Sequence, residues 1–64
     1  NSPIRRREEA IAAFDKALTI KPDYQEAWVN RGVSYGVLQQ HTEAFQSFDK
    51  ATEIQANDAV AWLN

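Results

Sequence analysis

The chain has 64 residues, with seven Lys and Arg against nine Asp and Glu, for a formal net charge of -2. That balance excludes a protein that lives on phosphate contacts, and it is too mild for an acidic tail. There is no cysteine, so disulfide scaffolds, thiolate metal sites and cysteine nucleophiles are excluded, while the redox compartment stays open. With 44% hydrophobic and 25% charged residues the chain should fold, although its size limits it to one small core. No apolar run approaches the roughly 18 residues of a membrane span, and no signal peptide is visible. A soluble, cytoplasmic location is the expectation. The sequence contains no Met and stops at Ala61-Trp62-Leu63-Asn64 with no helix-ending signal, so it reads as an excerpt of a longer protein.

Four helices are expected, near 3–20, 24–38, 42–55 and 58–64. In the first, Ala10, Phe14, Ala17 and Leu18 recur at spacings of three and four and form one apolar stripe. Pro22 cannot continue a helix, and it biases Lys21 away from helical geometry. The second helix carries Ala27, Trp28, Arg31, Gly32, Tyr35 and Leu38 with the same period, and Asp23 with Glu26 forms a candidate capping box at its start. The turn at Gln39 to His41 lacks Gly and Pro, so it is placed by repeat register alone. Ala44, Phe48 and Ala51 line the third helix, and Asn57 or Asp58 would cap a fourth that carries Trp62. Nothing alternates with period two, which argues against a sheet.

The chain repeats itself. Shifted by 34 residues, Glu9, Ala10, Phe14, Asp15, Lys16, Ala17 and Ile20 fall on Glu43, Ala44, Phe48, Asp49, Lys50, Ala51 and Ile54. The same shift puts Ala27, Trp28 and Asn30 on Ala61, Trp62 and Asn64 without a gap. Residues 1–24 then hold the second helix of a partial unit, 25–58 a complete unit, and 59–64 the start of a third.

The motif Trp28, two residues, Arg31-Gly32, two residues, Tyr35, then Ala44, three residues, Phe48 resembles the tetratricopeptide repeat (TPR). Ala10, Phe14 and Pro22 match the same pattern in the preceding unit. The resemblance implies an all-α fold, in which antiparallel helix-turn-helix hairpins stack as an α-solenoid with a right-handed superhelical path. Two positions depart from the family pattern: Arg31 stands where Leu is usual, and Ala56 where Pro is usual. Arg31 can lay its methylenes on the core while its guanidinium reaches water. Ala56 lets the third and fourth helices join more smoothly, even as one bent helix. Gly32 and Ala44 should allow close helix approach, with Trp28, Tyr35 and Phe48 filling the gaps and Ala17 and Ala51 making room for the next unit. About two units are present where roughly three make a stable stack. Apolar, exposed end faces are therefore expected, and with them either marginal stability or association with other copies through those faces.

The resemblance further implies a concave face, lined by the first helix of each unit, that holds an extended or helical segment of a protein partner. Its positions here are Glu26, Val29, Asn30, Val33, Gly36 and Val37, followed by Val60, Leu63 and Asn64. The valines would form an apolar trough, and Asn30 and Asn64 could exchange hydrogen bonds with a partner's backbone amide. The same valines also suit a surface covered by neighbouring repeats, with Asn30 capping or solvating. A clamp for a C-terminal carboxylate is not expected. Only Asn30 fits its pattern, since Val29, Val33 and Val60 stand where Lys, Asn and Lys would be wanted and Asn64 where Arg would be.

Chemistry finds no foothold. His41 is the sole histidine, with no ligand or carboxylate pair at metal or catalytic spacing. Ser34 and Ser47 have no base partner in the sequence. Asp15-Lys16 and Asp49-Lys50 are adjacent and read as solvated outer surface. Arg5-Arg6-Arg7 invites a nucleic-acid reading, but Glu8 and Glu9 stand three and four residues from Arg5, which favours a salt-bridged helix start. The two Trp residues occupy packing positions rather than base-stacking ones. The expected protein is a non-catalytic interaction module with no cofactor, no metal, and neither nucleic-acid nor membrane partners. The alternative is a structural spacer or self-assembly unit that associates through its end faces.

Overall fold

Two prolines frame the first helix. In the computed structural model, which describes residues 2–63, α1 runs Pro3–Ile20. Pro3 sits in the first turn, where its missing N–H costs nothing, and the Ser2 hydroxyl accepts a hydrogen bond from the Arg5 N–H at 3.0 Å. Ahead of Pro22 the backbone of Lys21 leaves helical geometry (φ -133°, ψ 87°), and the helix stops. The Tyr24 N–H closes the turn onto the Lys21 carbonyl at 3.1 Å, and α2 follows as Gln25–Val37. The expected Asp23–Glu26 capping box does not form, because Tyr24 takes the N-cap position and no side chain caps this end. The Trp28 indole N–H instead donates to the Pro22 carbonyl at 2.8 Å, fastening the turn to the first turn of α2.

The end of α2 explains why its turn carried no sequence signal. Gln39 adopts a left-handed backbone, φ 61°. Its N–H donates to the Gly36 carbonyl at 3.0 Å, and the Gln40 N–H donates to the Tyr35 carbonyl at 2.9 Å. This pair of bonds is a Schellman motif, built here on a glutamine where glycine is usual.

The third and fourth expected helices are one. α3 runs without interruption from His41 to Leu63, a rod about 34 Å long at 1.5 Å per residue. Position 56 lies 34 residues after Pro22 and holds alanine, so the signal that ended α1 is missing. Asn57 and Asp58 therefore lie inside the helix and cap nothing.

α2 lies between the other two helices and runs antiparallel to each. Asp15 of α1 meets Arg31 of α2, while Arg31 and Gln25 of α2 meet Ser47 and Gln55 of α3. Among the described residues α1 and α3 both touch α2 but not each other. The core is small: Ile11, Leu18, Ala27, Ala44, Ala51 and Ile54. Half of these are alanines, so the helices gain their burial by approaching closely rather than by filling space. Gly32 carries this furthest. A Cβ there would stand 2.7–2.9 Å from three carbons of the Phe48 ring, so glycine is what lets that ring lie against α2.

Arg31 does more than lay its methylenes on the core, although its side chain stays 20% exposed. Its Nε donates to Asp15 Oδ1 at 2.7 Å and its Nη1 to the fully buried Ser47 Oγ at 2.7 Å. The guanidinium carbon also lies 4.9 Å from the Tyr35 ring centre and 5.4 Å from that of Trp28. Asp15 is thus an ion-pair partner rather than idle surface, and Ser47 a buried acceptor. The anticipated ion pair at the start of α1 does form, between Arg5 and Glu9 at 3.2 Å. Both of its side chains are well exposed, so it contributes little.

α1 and α3 face α2 with different stripes. α3 buries Ala44, Ser47, Ala51 and Ile54, whereas α1 buries Ile11 and Leu18. The residues of α1 one repeat before the α3 stripe are Ala10, Ala13, Ala17 and Ile20; Ala10 and Ala17 are half-buried, and Ala13 and Ile20 are exposed. The difference shows in one identical pair: Ile54 is 8% exposed and Ile20 82%.

Two outcomes follow from these features. Ala56→Pro should end α3 near Ile54, as Pro22 ends α1, with loss of ellipticity at 222 nm and little change in melting temperature, since residues 55–63 are exposed. Arg31→Leu restores the family's usual residue but should cost about 1–3 kcal/mol by leaving the Ser47 hydroxyl without its partner. Adding Ser47→Ala should recover part of that loss in denaturant titration.

Candidate functional site

α2 is held on both sides, which leaves one strip of it free. Val29, Val33 and Val37 succeed one another at intervals of four, so they stack on one face of the helix, and all three are exposed. Glu26 and Asn30 flank them and are also exposed. Gly36 sits among them, and nothing lies within 4 Å of the place its Cβ would occupy. The result is a shallow apolar strip with an amide and a carboxylate along its edge and a notch near its C-terminal end. Its backbone is fixed by the Arg31 network behind it and by the Trp28 bond at its start.

Val60 and Leu63 were expected to extend this strip, and the structure places them elsewhere. Gln25, the first residue of α2, lies across from Gln55, with Nε2 to Oε1 at 3.4 Å. Everything after Gln55 therefore runs past the start of α2, and the eight residues to Leu63 project about 12 Å beyond it. Along the helix axes Val60 is about 20 Å from Val33. Both Val60 and Leu63 are exposed, but on the projecting end of α3. Asn64, the remaining candidate, lies outside the described residues.

The other polar residues gather into no reactive site. His41 is the exposed first residue of α3, Ser34 is buried, and Ser47 is committed to Arg31. Among the described residues no cluster of three or more His, Asp or Glu side chains can hold a metal ion. No helix among them is long and apolar enough to cross a membrane. Sequence reasoning missed Asp15 and Ser47 as the residues that position α2. The available signal was Arg31 itself, because a charge at a packing position needs a partner, and both partners stand 16 residues away in the chain.

Antiparallel helices, a 34-residue period and small residues at the helix crossings define a helical-hairpin repeat protein. The family model of the tetratricopeptide repeat matches residues 3–24 and 25–58, and the chain belongs to that family. No curated protein and no solved structure matches it. Proteins of this family generally mediate protein–protein interactions.

The two glycines of α2 should respond oppositely to alanine. Gly36→Ala enters open space and should stabilise by about 0.5–1 kcal/mol through helix propensity. Gly32→Ala drives a methyl into the Phe48 ring and should destabilise by roughly 1 kcal/mol despite that propensity gain. Thermal melts of the two variants check the difference in sign.

Proposed function

We propose that this chain is a non-catalytic binding module that holds a segment of a protein partner along the outer strip of α2. The observation that carries the reading is the row of Val29, Val33 and Val37, exposed on a helix whose other faces are packed. Isolated apolar residues on a surface need no explanation, but three in line beside Asn30 and the open Gly36 make a continuous apolar track. An apolar side chain of the partner can settle into the space over Gly36. Asn30, with both a donor and an acceptor, can bond a passing peptide group and set the partner's register. Val60 and Leu63 contribute to a separate surface in this reading, and Asn64 is offered only on its repeat position. Residues 1–24, 25–58 and 59–64 serve as partial unit, complete unit and beginning of a third.

The test is selection of peptides from a random library on the 64-residue chain, followed by affinity measurement against variants. Val33→Lys should weaken the selected peptides about tenfold or more, from one lost valine contact and a buried charge, with unchanged circular dichroism. Asn30→Ala should weaken them less. Peptides that bind Val33→Lys as tightly as the parent chain would remove this strip as the binding face.

A further inference from the structure

We propose that the seam between α1 and α2 holds a second binding site, a pocket for one lysine or arginine side chain of a protein partner. The pocket opens where the first half of α1 meets the end of α2, and its volume is about 200 Å³. It is lined by Glu8 and Ile11 of α1, Tyr35 of α2, and Leu38 and Gln40 of the turn into α3. Its walls come from both helices of one seam and from the turn after them, so it follows from how these helices meet. Tyr35 stands two residues from Val33, about 200° round the helix, which puts the pocket on the side of α2 opposite the valine strip.

The local structure fixes the walls. The Gln40 N–H donates to the Tyr35 carbonyl at 2.9 Å, a bond that the left-handed backbone of Gln39 makes possible. The turn is thereby tied to the residue that forms the aromatic wall. The Tyr35 ring is held in turn by the Arg31 guanidinium, 4.9 Å from its centre. Asp15, seven residues after Glu8 and on the same face of α1, pairs with Arg31 at 2.7 Å and closes the seam beyond the pocket.

Glu8 gives the pocket its charge. Arg5 has both Glu8 and Glu9 within helical reach, and it pairs with Glu9 at 3.2 Å. Arg6 and Arg7 line a separate depression with Pro3 and Ala10, and Arg31 is matched by Asp15. Among the described residues Glu8 makes no ion pair. Neither the Tyr35 hydroxyl nor the Gln40 side-chain amide makes a hydrogen bond within them. A carboxylate, a phenol and an amide oxygen can all accept from an ammonium or guanidinium group. The buried Ile11 and half-buried Leu38 offer an apolar wall to the aliphatic stem below such a group. An anion would meet the Glu8 charge. Size narrows the class further: pockets for drug-sized ligands run about 300–1,000 Å³, so one of about 200 Å³ suits a single side chain.

The test is an amide-resolved NMR titration of the 64-residue chain with capped Ala-Arg-Ala and Ala-Lys-Ala peptides, and with neutral Ala-citrulline-Ala, at matched ionic strength. The arginine or the lysine peptide should give saturable shifts at Ile11, Leu38 and Gln40 at millimolar concentration, which the citrulline peptide should not reproduce. Glu8→Gln should weaken that binding about fivefold, the upper end for a charge pair open to water. Its helicity should stay unchanged, because the Glu8 carboxylate bonds to nothing in the chain. Val33→Lys, which disables the outer strip of α2, should leave the shifts as they are, so failure at one surface is separable from failure at the other. Cationic peptides that shift these amides no more than citrulline does, binding indifferent to Glu8→Gln, or a response abolished by Val33→Lys overturns the proposal.

Discussion

One guanidinium holds the three helices in register. Arg31 reaches Asp15 on α1 and Ser47 on α3 from the middle helix, and the rings of Trp28 and Tyr35 flank it on its own helix. The contacts differ in worth. The Asp15 carboxylate is half exposed, so water screens that pair and its share is modest. Ser47 is fully buried, and a charged donor to a buried hydroxyl is the stronger bond, about 1.5–3 kcal/mol. With a core of six small or medium apolar side chains, such a bond is a large part of what distinguishes one helix arrangement from another. A leucine at this position would add apolar area but would tie nothing across both interfaces.

Small residues set the distance at which that network can close. Gly32 admits the Phe48 ring to within contact of the α2 backbone, and Ala27, Ala44 and Ala51 are buried in the same small core. The exposed strip of Val29, Val33 and Val37 inherits its rigidity from this packing. A helix surface so fixed would lose little conformational entropy on binding a partner. The notch at Gly36 belongs to the same logic, with space kept open on the outer face of α2 as it is kept closed on the inner one.

Much of the architecture was legible because repetition is a strong signal. The 34-residue translation located the helical stripes and the turn at Pro22, and the positions of Gly32 and Ala44 as packing residues followed from the family pattern. Three features escaped for physical reasons. The turn at Gln39 is stabilised by backbone hydrogen bonds that need a left-handed residue, and a glutamine can adopt that conformation without announcing it. Side-chain chemistry favours Asp23 as the N-cap of α2, whereas the Tyr24 carbonyl accepts the first helical bond, from the Trp28 N–H, and the helix starts one residue later. The partners of Arg31 lie 16 residues to either side, a separation that no local periodicity exposes. The exposed strip was legible only in part: the α2 residues share a face as their spacing requires, but Val60 and Leu63 depended on a turn that Ala56 does not make.

The absence of any contact between α1 and α3 bears on how the chain folds. Among the described residues every helix–helix contact joins helices adjacent in sequence, so contact order is low and each loop to be closed is short. α2 with α3 can form as a hairpin before α1 docks, and α1 can detach without dismantling that hairpin. Cooperativity then passes through α2 alone, in the manner of a one-dimensional chain of neighbours. The amides of α1 should accordingly exchange with solvent ahead of those in α2, a gradient of protection imposed by connectivity rather than by burial.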